Sequence, residues 1–184
     1  MIKAITTCGY RIRQGDVIAD VEHLESAQIE KDIVEISKIT FPYVVVLTQD
    51  CDLLQDYHTR RPKSGTTQDK QLVSVLVAPL YNAEHVYSGT HLSELGLTMQ
   101  TINRAKTPGQ RLQSNQDPRY HYLKFPEGIP IVPSVIDFKH YFSVSADYLK
   151  ALRTNNLICL IAPLYREDVS QRFASFLARI GLPY

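Results

Sequence analysis

Three consecutive residues, Asp50-Cys51-Asp52, follow the apolar run Tyr43 to Leu47 through Thr48 and Gln49. Polar residues begin at Thr48, which places the acidic pair at or just beyond the end of a strand. If extended backbone persists through Asp52, alternation sends both carboxylates to one face and Cys51 to the other. Carboxylates so placed repel each other, and a cation, a shared proton or an arginine relieves the repulsion. Three chemistries follow. The pair could hold a hard divalent cation such as magnesium, with water and a substrate phosphate completing the shell. One carboxylate could act as the general base of a phosphodiester cleavage, or position that base, while Arg60, Arg61 or Arg172 stabilises the developing charge. Cys51 could be a nucleophile served by His58, His121 or His140. The alternative without chemistry is that both aspartates cap turn amides and Cys51 is a small buried hydrophobe.

The charges around this site are unevenly placed, although the chain of 184 residues carries a formal net charge of only +1. Seven acids lie between Asp16 and Glu35, with Lys31 the single lysine or arginine. From Arg104 to Lys124 five cations face only Asp117, and His58-Thr59-Arg60-Arg61-Pro62-Lys63 is also basic. These two basic stretches make His58, Arg60, Arg61, Arg119 and His121 candidates for holding a phosphate, and Arg172 of the final helix joins them. Tyr120-His121-Tyr122 adds aromatics among cations, a composition that stacks on single-stranded nucleic acid. Solvated loops are the plainer alternative. Cys159, inside Leu157-Ile158-Cys159-Leu160-Ile161, reads as core, and His140 reads as structural. Arg172, Ser175 and Arg179 share one helix face, which could touch an anion or simply meet solvent.

Several elements must position these residues. Gly15 to Val21 alternates as a half-buried strand should. Glu22 to Lys31 is polar and reads as a short helix or a loop. Ile33 to Ile39 resumes a β pattern that Phe41-Pro42 breaks, and Val44-Val45-Val46-Leu47 has the continuous β-branched run of a strand buried on both faces. Thr59 to Lys70 reads as a loop, Leu72 to Leu80 as a strand closed by Pro79, and His91 to Leu95 as a short helix. Thr101 to His121 is a long polar insertion, and Ile129 to Val144 is β-like. Ser145 caps a helix from Ala146 to Arg153. Val169, Phe173, Phe176, Leu177 and Ile180 make the apolar stripe of a final helix, with Asp168 as N-cap, Gly181 as C′ residue and Pro183 as stop. Ala78-Pro79-Leu80-Tyr81 recurs as Ala162-Pro163-Leu164-Tyr165, an echo too short to mark a duplication.

Composition fits a single domain over 1–184 of mixed α/β (α+β type) class, 44% hydrophobic and 21% charged. No apolar run approaches the roughly 20 residues of a membrane span. Met1 to Thr6 lacks a signal-peptide pattern, and the widely spaced Cys8, Cys51 and Cys159 include no C-x-x-C. They read as thiols of a reducing compartment, which gives a cytoplasmic, non-membrane expectation.

The order of elements resembles the MazF/PemK family of small barrel proteins, whose toxins cleave RNA without a metal. The similarity runs through Gly15-Asp16-Val17-Ile18, Pro42 to Leu47, Val75 to Leu80, Ser134-Val135-Ile136-Asp137 and the final helix. It implies a small SH3-like, PemK-like β-barrel with long insertions and a C-terminal helix packed on the sheet. Two positions depart from the family pattern. Phe41 stands where an arginine usually precedes the proline of the second strand, and Tyr81 stands where a threonine usually follows the Pro-Leu of the third. The reading is a protein that binds nucleic acid or a phosphorylated ligand, an accessory of a bacterial defence or toxin system by analogy. Two alternatives stand beside it: an endoribonuclease or other phosphodiesterase using Asp50 and Asp52, and a non-catalytic module whose acidic segment docks a protein partner.

Overall fold

The computed structural model describes residues 1–6, 9–30, 33–60 and 67–179. Arg61, Cys8, half of the loop expected over 59–70, and the expected helix end at Ile180, Gly181 and Pro183 lie outside the described residues. Among the described residues there are eight strands: β1 (Ala4–Ile5), β2 (Asp16–Glu30), β3 (Ile33–Val46), β4 (Ser74–Asn82), β5 (Tyr120–Leu123), β6 (Ser134–Asp137), β7 (Phe142–Ser145) and β8 (Leu157–Ile161). The helices are α1 (Asp50–Thr59), α2 (Ala83–Ser88), α3 (Thr107–Gln113), α4 (Ala146–Asn156) and α5 (Pro163–Leu177). The strands pair antiparallel in the order β1-β8-β2-β3-β4-β6-β5, with β7 joined to β4, and the sheet curls into a half-barrel.

Both faces of the central strands are covered. Val17 and Val45 join one core with Ile161 and the α5 residues Val169, Phe173 and Phe176. Their neighbours Ile18, Val44 and Val46 join a second core with Leu53 of α1 and Leu149 of α4. The continuous apolar run at Val44 to Leu47 is therefore what a strand buried on both sides requires, and its four residues are at most 4% exposed. Cys159 is fully buried in the first core, as its apolar flanks suggest.

β2 and β3 are longer than their sequence patterns indicate. Glu22 onward continues β2 instead of turning to helix or loop, and β3 runs through Phe41-Pro42 instead of breaking there. Pairing passes from Ala19↔Tyr43 to Val21↔Phe41, leaving Asp20 opposite Pro42. A proline has no N–H to give the ladder, and Asp20 answers with a left-handed φ of 56°. The proline thus produces a local irregularity in a strand that continues past it. α4 begins where expected, with the Ser145 hydroxyl accepting from the Tyr148 amide. α5 opens on Pro163 after Ala162, so Asp168 lies inside the helix and is not its cap.

β4 organises the site described next. Its first residues pair with β7, its middle with β3 and its end with β6. β6 and β7 are separated by a single 3-10 turn over Phe138–His140, whose start is held by the Asp137 carboxylate accepting from the Lys139 amide at 3.0 Å. Directly after β4, the Asn82 side chain accepts from the Glu84 amide and starts α2. Gly89 ends α2 at φ +76°, where an added Cβ would come 2.2 Å from the Met99 carbonyl oxygen, so only glycine fits the turn that leads to His91.

Candidate functional site

The acidic triplet does not form the arrangement its sequence suggests. The strand ends at Val46, and Asp50 to Asp52 form the first turn of α1, so the two aspartates do not share a strand face. Acids in a first helical turn are favoured by the positive end of the helix dipole. Arg11 grips Asp50 through both guanidinium nitrogens, at 3.0 and 2.8 Å. Arg166 stands at 3.6 Å, and the Gln14 amide donates to Asp50 at 3.3 Å. Burial pushes the Asp50 carboxyl up, but the Arg11 hydrogen bonds and the charges of Arg11 and Arg166 more than reverse this and hold it low. Asp50 therefore ties the segment before β2 to the starts of α1 and α5. Asp52 is exposed, and Cys51, read either as a nucleophile beside an imidazole or as a small buried hydrophobe, is exposed with its thiol against the Gln49 and Asp52 oxygens at 3.6 and 3.7 Å.

The basic candidates also make internal bonds. Arg60 joins Asp56, Asp147 and the Leu72 carbonyl. Arg172 donates to the carbonyls of Asn115, Asp117 and Tyr120, holding the long insertion onto α5. Arg119 chelates the carboxylate of Asp137, itself fully buried. His121 is buried, and desolvation together with the Arg172 charge lowers its pKa to about 3. It is neutral near pH 7, so its 4.0 Å approach to Asp168 is not an ion pair. His58 is exposed and packs edge-on against Tyr57. The structure does not gather these residues into one site.

A different constellation is gathered at the end of β4. A cavity of about 320 Å³ opens beside Phe41, Pro42, Tyr43, Tyr81, His85 and His91. Pockets of roughly 300 Å³ and more are of ligand-holding size. Phe41 of β3 and Tyr81 of β4 both line it. Burial, and secondarily the charge of Asp137, pushes the Tyr81 phenol well above its ordinary range, so it stays protonated.

Beside Tyr81 lie His91, Asp137 and His140, each offering one ligand atom within 4.8 Å of the others. The Tyr81 ring meets His91 at 5.0 Å and His140 at 5.7 Å, both edge-on. His140 Nδ1 is 3.6 Å from an Asp137 oxygen, too far for a hydrogen bond. The ring nitrogens of His91 and Nδ1 of His140 are buried and make no hydrogen bond of good geometry, the His85 carbonyl lying close enough to His91 for a weak one. Desolvation lowers the pKa of both imidazoles. The Asp137 charge opposes this in each, and the nearby His85 carbonyl opposes it in His91, without reversing the shift.

No protein-family model matches the chain, and no curated protein matches it significantly in sequence. Sequence reasoning passed over His91, which it placed at a helix start, and read His140 as structural. The one local signal was Asp137-Phe138-Lys139-His140, whose spacing brings an acid and an imidazole together on a single turn. Nothing local announces His91, which reaches the cluster only through the Gly89 turn.

Proposed function

We propose that the chain binds a nucleobase in the cavity walled by Phe41 and Tyr81, presented either by a free nucleotide or by single-stranded nucleic acid. On this reading the half-barrel is an SH3-like, PemK-like scaffold with aromatics at the two positions where the similar toxins carry cleaving residues. The observation that carries the proposal is the cavity itself, with aromatic side chains from β3 and β4 and imidazoles at its rim. Aromatic walls suit the face of a planar heterocycle, and imidazoles can meet its polar edge. The Arg11–Asp50 pairing gives no support to phosphodiester cleavage by Asp50 and Asp52.

Because Arg60, Arg119 and Arg172 already bond inside the protein, few phosphate contacts are expected and binding should fall only shallowly with salt. Calorimetry with the four ribonucleoside monophosphates, and anisotropy with labelled RNA and DNA oligonucleotides, separates the two sources of the base. Loss of one stacking wall in Phe41→Ala should weaken binding by about 5- to 150-fold, the equivalent of roughly 1–3 kcal/mol per stacked base. An absence of binding by every nucleotide and oligonucleotide at low salt would sink the proposal. So would binding that Phe41→Ala leaves unchanged.

A further inference from the structure

We infer that His91, Asp137 and His140 form a binding site for one divalent transition-metal ion, distinct from the magnesium chemistry expected at Asp50 and Asp52. The inference goes beyond the nucleobase proposal and stands without it. Two imidazoles and one carboxylate are a donor set for borderline ions such as zinc, iron(II), cobalt(II) or nickel(II), whereas magnesium and calcium prefer all-oxygen shells. Donor atoms about 2.0–2.2 Å from a tetrahedral ion stand roughly 3.3–3.6 Å apart. The His140–Asp137 pair already has that spacing at 3.6 Å, and the three donor atoms all lie within 4.8 Å of one another.

The unsatisfied nitrogens are what point to a ligand. A buried polar atom without a partner is costly, and native proteins rarely keep several together. Here Nδ1 of His140 and at least one ring nitrogen of His91 meet that description within one cluster, beside a fully buried carboxylate. The supports around the donors are of the kind metal sites use. Arg119 and the Lys139 amide orient Asp137, the 3-10 turn fixes His140 relative to it, and the Gly89 turn delivers His91. The Tyr81 ring packs against both imidazoles and limits their rotation. Arg119 is a cation close to the expected ion and moderates its affinity, which argues for a site of intermediate strength. Three protein donors leave at least one coordination position for water or another ligand, and His91 also lines the cavity.

The test uses the full chain, stripped with chelator and dialysed. Cobalt(II) is titrated while ligand-field absorption is followed, and zinc(II) and magnesium by calorimetry. One cobalt or zinc per chain should bind, with magnesium at least about 100-fold weaker. His91→Ala and His140→Ala should each lower cobalt affinity by about 100-fold, since each removes one of three donors. His91→Ala carries the test if His140→Ala fails to fold, because thermal melting of the metal-free variant shows whether the fold persists. No saturable cobalt or zinc binding up to about 1 mM would overturn the inference, as would stoichiometric binding that both variants leave within about threefold. Nucleotide binding measured with chelator present reads the cavity proposal separately.

Discussion

Asp50 draws two guanidinium groups and a backbone amide onto one partly buried carboxylate, so its removal is a structural event before it is a chemical one. Asp50→Ala leaves Arg11 and Arg166 facing each other without their shared anion. Breaking a fully buried pair costs about 3–5 kcal/mol, and partial exposure reduces the expected loss here to about 2 kcal/mol. Asp52→Ala removes an exposed side chain and should change stability by less than about 0.5 kcal/mol. Urea unfolding at pH 7 separates the two, and equal losses would contradict the different roles assigned to them. The pH dependence has a definite sign. Because the folded pKa of Asp50 is lowered, the unfolded chain binds the more protons where the two states differ, so the stability is present above about pH 4 and lost as pH falls further. The gap between wild type and Asp50→Asn should therefore narrow in acid. The sequence made Asp50 legible as a special residue, because an acid directly after a buried strand must find a partner. It could not show that the partner is Arg11, which lies 39 residues earlier in a segment with no regular pattern.

Local sequence also decides less at the scale of elements than its patterns suggest. Ala-Pro-Leu-Tyr lies in the second half of a strand at 78–81, and at 162–165 it opens a helix. Its conformation follows its neighbours: β3 and β6 pair the first copy, and the first turn of α5 absorbs the second proline. The distal β2–β3 arm was hidden for another reason. Alternation reveals a strand only when one face is buried, and Leu24, Ile29, Ile33, Val34 and Ile36 are all more than half exposed. The arm is thus a ladder that backbone pairing and cross-strand contacts maintain largely outside the core. Replacing residues 25–37 by Asn-Gly would join the paired Leu24 and Lys38 through a two-residue hairpin turn. The shortened chain should melt within about 5 °C of the wild type, because the described side chains it removes, 25–29 and 33–37, are all exposed. A larger drop in differential scanning calorimetry would mean that the arm supports the barrel end.

For the whole molecule, the mixed α/β class, the doubly buried central strand and a final helix on the sheet were legible because each rests on a long run of apolar spacing. The half-barrel's open edges were not, since β1 is only two residues long and β5 only four, too short for a pattern. The full cluster was hidden for a related reason: Asp137 and His140 share one short turn, but His91 comes from a separate turn that only the β4 connections bring beside them. The same sheet separates two of the three apolar clusters of the described interior, and this separation has a thermodynamic consequence. Ile161 lies in the cluster under α5 and Leu149 in the one under α4, and both are fully buried. Ile161→Val should cost about 1 kcal/mol and Leu149→Ala about 3 kcal/mol, each through a cavity on its own side of the sheet. With no shared cluster, the double variant should lose the sum of the two to within about 0.5 kcal/mol, in a single cooperative transition. Chemical denaturation of the four proteins in the cycle measures this. Two separate transitions would show that the clusters fold as independent units, and a coupling above about 1 kcal/mol would show that the rigid central strands transmit a packing defect from one face to the other.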